Sequence, residues 1–146
     1  MLNSVQIVLS PGVEVPTRAT TGASGFDLTA NIPTSVSLPS LGRLVVPTGV
    51  KLAIPEGFEA QVRPRSGLAV KRGITVLNSP GTIDADYRGE VGVILVNLSA
   101  EPYTINPGER IAQLVFQPIE VPALVSVEYL EETSRGSGGY GSTGTR

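Results

Sequence analysis

Leu77-Asn78-Ser79-Pro80-Gly81-Thr82-Ile83-Asp84-Ala85-Asp86-Tyr87-Arg88-Gly89 is the stretch on which the reading of this chain turns. An extended apolar run, Ile74-Thr75-Val76-Leu77, leads into it, and a longer one, Val91-Gly92-Val93-Ile94-Leu95-Val96, leads out. Ser79-Pro80-Gly81 and Arg88-Gly89 are turn signals. Two extended runs joined this way predict a hairpin-like element. It carries an Asn, two Asp, a Tyr and an Arg close together, and loops held by strands are where chemistry concentrates. The same residues also serve as ordinary turn formers and a half-buried strand tyrosine. Taken alone, the stretch leaves the two readings level.

The same grammar extends in both directions. Glycine (17) and proline (12) punctuate short Val/Ile/Leu-rich runs along the whole chain, a pattern of many short strands. No long segment has helical periodicity. Strands are predicted over residues 5–9, 35–38, 58–63, 102–105, 110–116 and 125–130. Residues 43–54 read as a pair of short strands broken at Pro47 and Gly49. Residues 90–98 are nearly continuous in apolar character, which predicts a strand buried on both faces, in a barrel or sandwich interior or at a subunit interface. One short helix is expected within Pro64-Arg65-Ser66-Gly67-Leu68-Ala69-Val70-Lys71-Arg72-Gly73, with Ser66 as its N-cap and Gly73 as its stop. An Arg before a helix start favours an anion there; on these residues alone an ordinary capped turn is the preferred reading.

Composition bounds the chemistry. At 146 residues the chain is one domain with room for a real core. It has no cysteine and no histidine. That excludes disulfides, zinc-thiolate sites, histidine metal ligands and Ser-His or Cys-His catalysis. Acid–base work falls to carboxylates, Tyr, Lys or water, and any metal is a hard cation held by oxygens, such as Mg²⁺. A net charge of −2 leaves no electrostatic footprint for nucleic acid. Met1-Leu2-Asn3-Ser4-Val5 has neither the basic nor the apolar region of a signal peptide, and no run approaches membrane-spanning length. The expectation is a soluble cytoplasmic protein with no membrane or nucleic-acid partner. From about Glu131 the composition turns to Gly and Ser, which cannot bury a core. Residues 1–130 therefore form the expected β domain and 131–146 a flexible tail. That tail is a linker, or it folds over a ligand with Tyr140 on a base and Arg135 on a phosphate.

Five motifs then occur in order. They are Ala23-Ser24-Gly25-Phe26-Asp27-Leu28, Pro64-Arg65-Ser66-Gly67-Leu68-Ala69, Gly81-Thr82-Ile83-Asp84-Ala85-Asp86-Tyr87-Arg88-Gly89, Gly108-Glu109-Arg110-Ile111-Ala112-Gln113-Leu114, and Arg135-Gly136-Ser137-Gly138-Gly139-Tyr140-Gly141-Ser142-Thr143-Gly144. In this the sequence resembles the trimeric dUTP pyrophosphatase (dUTPase) family over essentially its whole length. The resemblance implies an all-β, jelly-roll-like barrel or sandwich with one short helix. It implies a homotrimer with shared active sites, closed by the tail. It implies Mg²⁺-assisted hydrolysis of dUTP to dUMP and pyrophosphate, which lowers dUTP and supplies dUMP for dTTP synthesis.

Residue roles follow from the same resemblance. Asp84 matches the carboxylate that activates the water attacking the α-phosphorus. Asn78 matches the reader of uracil, with Thr82 and Ile83 contributing from the hairpin. Tyr87 matches the residue under the deoxyribose that leaves no room for a 2′-hydroxyl. Arg65, Ser66 and Gly67 match the phosphate-binding segment, and Gln113 a residue reaching the phosphates from another subunit's strand. Asp27 matches a carboxylate near the water shell of a Mg²⁺ held mainly by the substrate phosphates. Arg135, Gly139, Tyr140, Gly141, Ser142 and Thr143 match the tail groups, with Tyr140 over the uracil.

Two other readings compete. A dCTP deaminase, or bifunctional deaminase-dUTPase, shares the fold but needs a Glu on the strand after the central stretch. Ile94 stands there, and an aliphatic side chain cannot shuttle protons. A non-catalytic nucleotide-binding module would be expected to lose the carboxylate, the Arg-Ser-Gly segment or the tail, and all three are present.

Overall fold

Short runs that alternate in polarity, separated by Gly and Pro turns, can bury an apolar face only by pairing into sheets that pack on one another. The computed structural model, which describes residues 2–140, has this arrangement. Its elements in chain order are β1 (Gln6–Leu9), β2 (Phe26–Thr29), β3 (Val36–Leu38), β4 (Arg43–Ala53), β5 (Phe58–Arg63), α1 (Ser66–Arg72), β6 (Ile74–Val76), β7 (Gly81–Ile83), β8 (Glu90–Asn97), β9 (Tyr103–Ile105) and β10 (Arg110–Pro118). One four-stranded sheet runs β1-β4-β8-β6 and a second runs β2-β10-β5-β7; β3 and β9 form a small ribbon. All these pairings are antiparallel. Two four-stranded antiparallel sheets around one core make the expected jelly-roll-like sandwich.

Alternation along the strands builds that core. Val46, Val91, Val93 and Leu95 from the first sheet meet Leu28, Ala60, Val62, Ala112 and Leu114 from the second, all buried. Burial of each large aliphatic side chain stabilises the fold by roughly 1.5–3 kcal/mol. Asn97 is also fully buried. Its Nδ2 donates to Leu38 O (3.0 Å) and Glu101 O (2.8 Å), and its Oδ1 accepts from Ser99 N (2.9 Å) and Ser99 Oγ (2.7 Å).

Several expectations change. The central stretch is not a simple hairpin. Its flanking strands β6 and β8 do pair, Val76 opposite Leu95, but β7 crosses to the other sheet and pairs with β5. Residues 43–54 form one strand rather than two. Its register shifts between Pro47 and Lys51 because Pro47 lacks an N–H and Gly49 takes φ +71°. Thr48 Oγ1 donates to Val91 O there at 2.6 Å, and Glu90 Oε1 accepts from Gly49 N at 2.6 Å. Strand β8 alternates over its first five residues, Val91 and Val93 buried and Glu90, Gly92 and Ile94 half-buried, and only its end, Leu95, Val96 and Asn97, is buried on both faces. Residues 125–130 form no strand; they pair with no other strand among the described residues, and Val125, Tyr129 and Leu130 are exposed. Ser66 opens α1 instead of capping it. Arg65 holds the cap position in extended conformation, without a side-chain cap bond, while Gly73 terminates the helix at φ +66° as expected.

Candidate active site

The register of the second sheet gathers three of the motifs. In the order β2-β10-β5, Gln113 of β10 lies opposite Asp27 on one side and Arg63 on the other. Strand β5 then ends at Pro64, so Arg65 and the opening of α1 emerge beside Gln113. Gln113 Nε2 donates to Pro64 O at 3.0 Å and fixes the side chain there. Its Oε1 lies over Gly25, which has no side chain to displace it.

Charge is concentrated at the same point. The Asp27 carboxylate, with the side chain 19% exposed, faces Arg65 Nε across 3.4 Å and accepts from an Arg110 terminal nitrogen at 3.1 Å. Arg65 also donates to Arg110 O at 3.1 Å. Asp27 therefore holds two guanidiniums, and the group carries a net positive charge. Asp27 and Arg65, with Ser66, Gly67, Gly25 and Gln113, line a cleft of about 200 Å³; Arg110, on the other oxygen of Asp27, is outside that lining. The Arg65 guanidinium and the uncapped first turn of α1, with the Arg110 charge nearby on Asp27, make it fit for phosphate. Two clefts are larger, at about 490 Å³ each: one between Phe26, Phe58 and Phe116 is largely apolar with no charged side chain, and one beside Asp27 and Arg110 also carries Glu14 but neither Arg65 nor the opening of α1. The chemistry points to the smaller cleft.

The central stretch stands elsewhere. Asn78, Thr82, Asp84 and Tyr87 are exposed and Ile83 is half-buried. Gln113 pairs with Arg63, while Ala60 pairs with Ile83, so Asp84 lies two strands over and several residues along. Strand spacings of about 4.8 Å and rises of about 3.4 Å per residue put Asp84 roughly 15 Å from Gln113. The turn itself is well held. Tyr87 N donates to Asp84 O at 3.2 Å, Arg88 donates to Ala85 O (2.6 Å) and Tyr87 O (3.0 Å), and the Tyr87 hydroxyl donates to Glu90 O at 3.0 Å. A single chain thus presents two separate polar groups, one cationic and one carrying a carboxylate, an amide and an aromatic ring.

The tail joins neither group within the described residues. Arg135 Nε donates to Gly138 O at 2.8 Å, Gly139 is half-buried, and Tyr140 is fully exposed. Gly141, Ser142 and Thr143 lie outside the described residues. Gln113 shares its cleft with Arg65, Ser66 and Gly67 of its own chain, because β10 is the direct neighbour of β5; it does not need another subunit to meet them.

Sequence reading assigned no role to Arg110, although Arg110 lies inside one of the five motifs; only the fold puts it against Asp27. It also missed Tyr103. Burial, and then its hydrogen bond to Glu109 and that group's charge, push the Tyr103 hydroxyl up to about 12. No group of three or more metal-ligating side chains occurs among the described residues. Nor does any helix among them have the length and apolarity to cross a membrane.

Comparison with known proteins gives the family. The dUTPase family model matches residues 12–144. A deoxyuridine 5′-triphosphate nucleotidohydrolase of Fusobacterium nucleatum subsp. nucleatum is 58% identical over 140 residues, covering 96% of each chain. One of Wolinella succinogenes is 54% identical over 136 residues, covering 93% of this chain and 90% of that one. Among solved structures, a variant of the staphylococcal phage 80alpha dUTPase with dUpNHpp superposes with a TM-score of 0.82 at 29% identity, covering 97% of this chain and 99% of that one. A variant dUTPase of Staphylococcus aureus phage phi11, with a structural Mg(II) ion, gives 0.79 at 28% identity, covering 89% and 100%. The chain belongs to the dUTPase family.

Proposed function

We propose that this chain hydrolyses dUTP to dUMP and pyrophosphate at sites assembled between the subunits of a homotrimer. One observation carries the shared-site reading: the cleft of Arg65, Ser66 and Gln113 and the group of Asn78, Asp84 and Tyr87 lie roughly 15 Å apart on one chain. Asp84 has to reach the α-phosphorus through a single water while the cleft holds the adjoining phosphates, and a span of roughly 15 Å is wider than that arrangement allows within one chain. A neighbouring copy can bring its own Asn78–Tyr87 stretch to this chain's cleft. The outward face of the first sheet supports such packing. Val45 pairs with Ile94 there, Val8 and Leu77 flank them, and Val8, Val45 and Leu77 are all half or more exposed. The exposed Val121, Leu124, Val125 and Leu130 support it too, since strand-like sequence without a ladder finds one on another chain.

In the assembled site each side chain has a physical task. Arg65, the Ser66 hydroxyl, the Gly67 backbone and the Gln113 amide neutralise and orient the phosphates, and phosphoryl transfer demands positioning above all. Asp84 takes a proton from the attacking water and aims it at the α-phosphorus. Asn78 and the backbone at Thr82 and Ile83 match the donor–acceptor edge of uracil; cytosine would leave buried groups unpaired. Tyr87 lies under the deoxyribose. Residues 131–146 fold over the bound nucleotide, with Arg135, Ser142 and Thr143 on the terminal phosphates and Gly139, Tyr140 and Gly141 along the base side. Closure of this kind excludes competing water.

Mg²⁺ fits this donor set only from outside. Asp27 is the nearest carboxylate; one oxygen accepts from Arg110 and the other faces Arg65 as an ion pair, yet a carboxylate has further lone pairs for a metal-bound water. The ion would rest mainly on the phosphates and supply charge neutralisation there. The reading places the enzyme in the cytoplasm, with dUMP passing to dTTP synthesis.

Pyrophosphate release from dUTP, dTTP, dCTP and UTP with Mg²⁺, for the wild type and Asp84→Asn, tests it. Turnover of dUTP alone, lost by orders of magnitude in Asp84→Asn, is expected. Binding of dUTP without turnover by the wild type would reduce the protein to a nucleotide-binding module. Ammonia from dCTP would overturn the argument from Ile94.

A further inference from the structure

The Tyr87 ring does not project freely from its turn. It folds back across Gly89 so that its hydroxyl donates to Glu90 O at 3.0 Å. That acceptor is fixed, because Glu90 opens β8 opposite Lys51 and its carboxylate accepts from Gly49 N. Arg88 bonds to Ala85 O and Tyr87 O and holds the turn behind the ring. The ring therefore lies on the backbone of Gly89. A Cβ at that position would stand 2.5 Å from the Tyr87 Cζ and 2.9 Å from Cε2, and nearer still to the hydroxyl. Carbon atoms do not pack at such distances, so the ring would have to leave.

Two further facts decide what gives way. Gly89 is not among the left-handed glycines, unlike Gly49, Gly57 and Gly73, so its backbone accepts an alanine without strain. Tyr87 is 44% exposed, so the ring can swing outward into solvent. The fold tolerates the methyl group, and the cost falls on the position of one aromatic ring.

We propose that Gly89 is a specificity-determining position: its missing side chain seats the Tyr87 ring where that ring excludes a 2′-hydroxyl. The inference rests on the reading of Tyr87 as the residue beneath the deoxyribose. Gly89 touches no substrate; it acts through Tyr87, and its signature is a change in sugar discrimination rather than in folding.

The test measures kcat/KM for dUTP and for UTP in the wild type, Gly89→Ala, Tyr87→Ala and the double variant, beside their melting temperatures. Gly89→Ala is expected to lower the dUTP-to-UTP ratio by about tenfold or more with its melting temperature close to that of the wild type. In the double variant the ratio is expected to equal that of Tyr87→Ala, because no ring remains to displace. A ratio in Gly89→Ala within about twofold of the wild type, with Tyr87→Ala strongly reduced, overturns the role of Gly89 and leaves that of Tyr87 standing. An unchanged ratio in both variants removes the reading of Tyr87, and the inference with it. Should Gly89→Ala fail to accumulate as soluble protein, the double variant is expected to recover solubility, since the overlap is gone; insolubility of both contradicts the proposal.

Discussion

Asn97 is the buried polar group on which this fold most depends, and its replacement by alanine gives a calculable loss. The side chain is fully buried and makes four hydrogen bonds that tie β8 to β3 and to residues 99–101. Asn97→Ala leaves Leu38 O without this partner in the interior, at about 1–3 kcal/mol for a buried unsatisfied group. Glu101 O and Ser99 lie nearer solvent, where water replaces part of what is lost; they add about 0.5–1 kcal/mol each. The sum is about 3 kcal/mol, near the upper end of single-residue effects. For a domain of this size that corresponds to a fall in melting temperature of roughly 6–12 °C. Thermal unfolding of the wild type, Asn97→Ala and Asn97→Asp at one fixed protein concentration checks it, because subunit association makes stability concentration-dependent. Asn97→Asp is expected to do no better than alanine, since it turns a carboxylate toward two carbonyl oxygens. A shift below about 2 °C in Asn97→Ala would refute the reasoning, for it would mean that these bonds are not coupled to global unfolding.

Two other consequences follow from particular contacts. A methyl group at Gly25 would overlap Gln113 Oε1 and lie 3.0 Å from its Cδ, so Gly25→Ala is expected to displace Gln113 from Pro64 and raise KM for dUTP by about tenfold, read from steady-state kinetics with melting temperature as control. The Tyr103 hydroxyl is raised to about 12 from 10.0, so its contribution to stability is full below pH 10 and is lost as pH rises toward 12. Melting temperatures across that window are expected to fall less steeply in Tyr103→Phe than in the wild type, and parallel curves would count against it.

The all-β sandwich was legible because its strands alternate and its Gly and Pro residues fall between them. The helix stop at Gly73 was legible for the same local reason. What misled was always a long-range partner. Residues 74–96 read as one hairpin because sequence shows the flanking strands but not that β5 stands free to receive β7. Pro47 and Gly49 read as breaks because the Thr48 and Glu90 side chains that bridge the irregularity come from pairing with β8. Residues 125–130 have strand composition, yet composition cannot say whether a neighbouring strand is there to pair with.

The site divides along the same line. Asp27, Arg65 and Gln113 were recognisable as motif residues, and antiparallel register brings them together within one chain. Arg110 passed unnoticed because its partner is Asp27, far away in sequence. Asp84 and Tyr87 were recognised as well, but their distance from the cleft of Arg65 and Gln113 is a property of the sheet order alone. The motifs identify the parts of the site, and the separation of those parts makes the case for an assembly.

The most direct test of that assembly pairs two inactive variants. Asp84→Asn and Arg65→Ala are co-expressed with different tags, and mixed trimers are isolated through both. If each site takes Asp84 from one subunit and Arg65 from another around a three-fold axis, either kind of mixed trimer contains one intact site of its three. The expected dUTP hydrolysis is then about one third of the wild-type rate per trimer, while each parent alone stays inactive. Mixed trimers as inactive as the parents would show that each chain builds its site from its own residues, and would contradict the account.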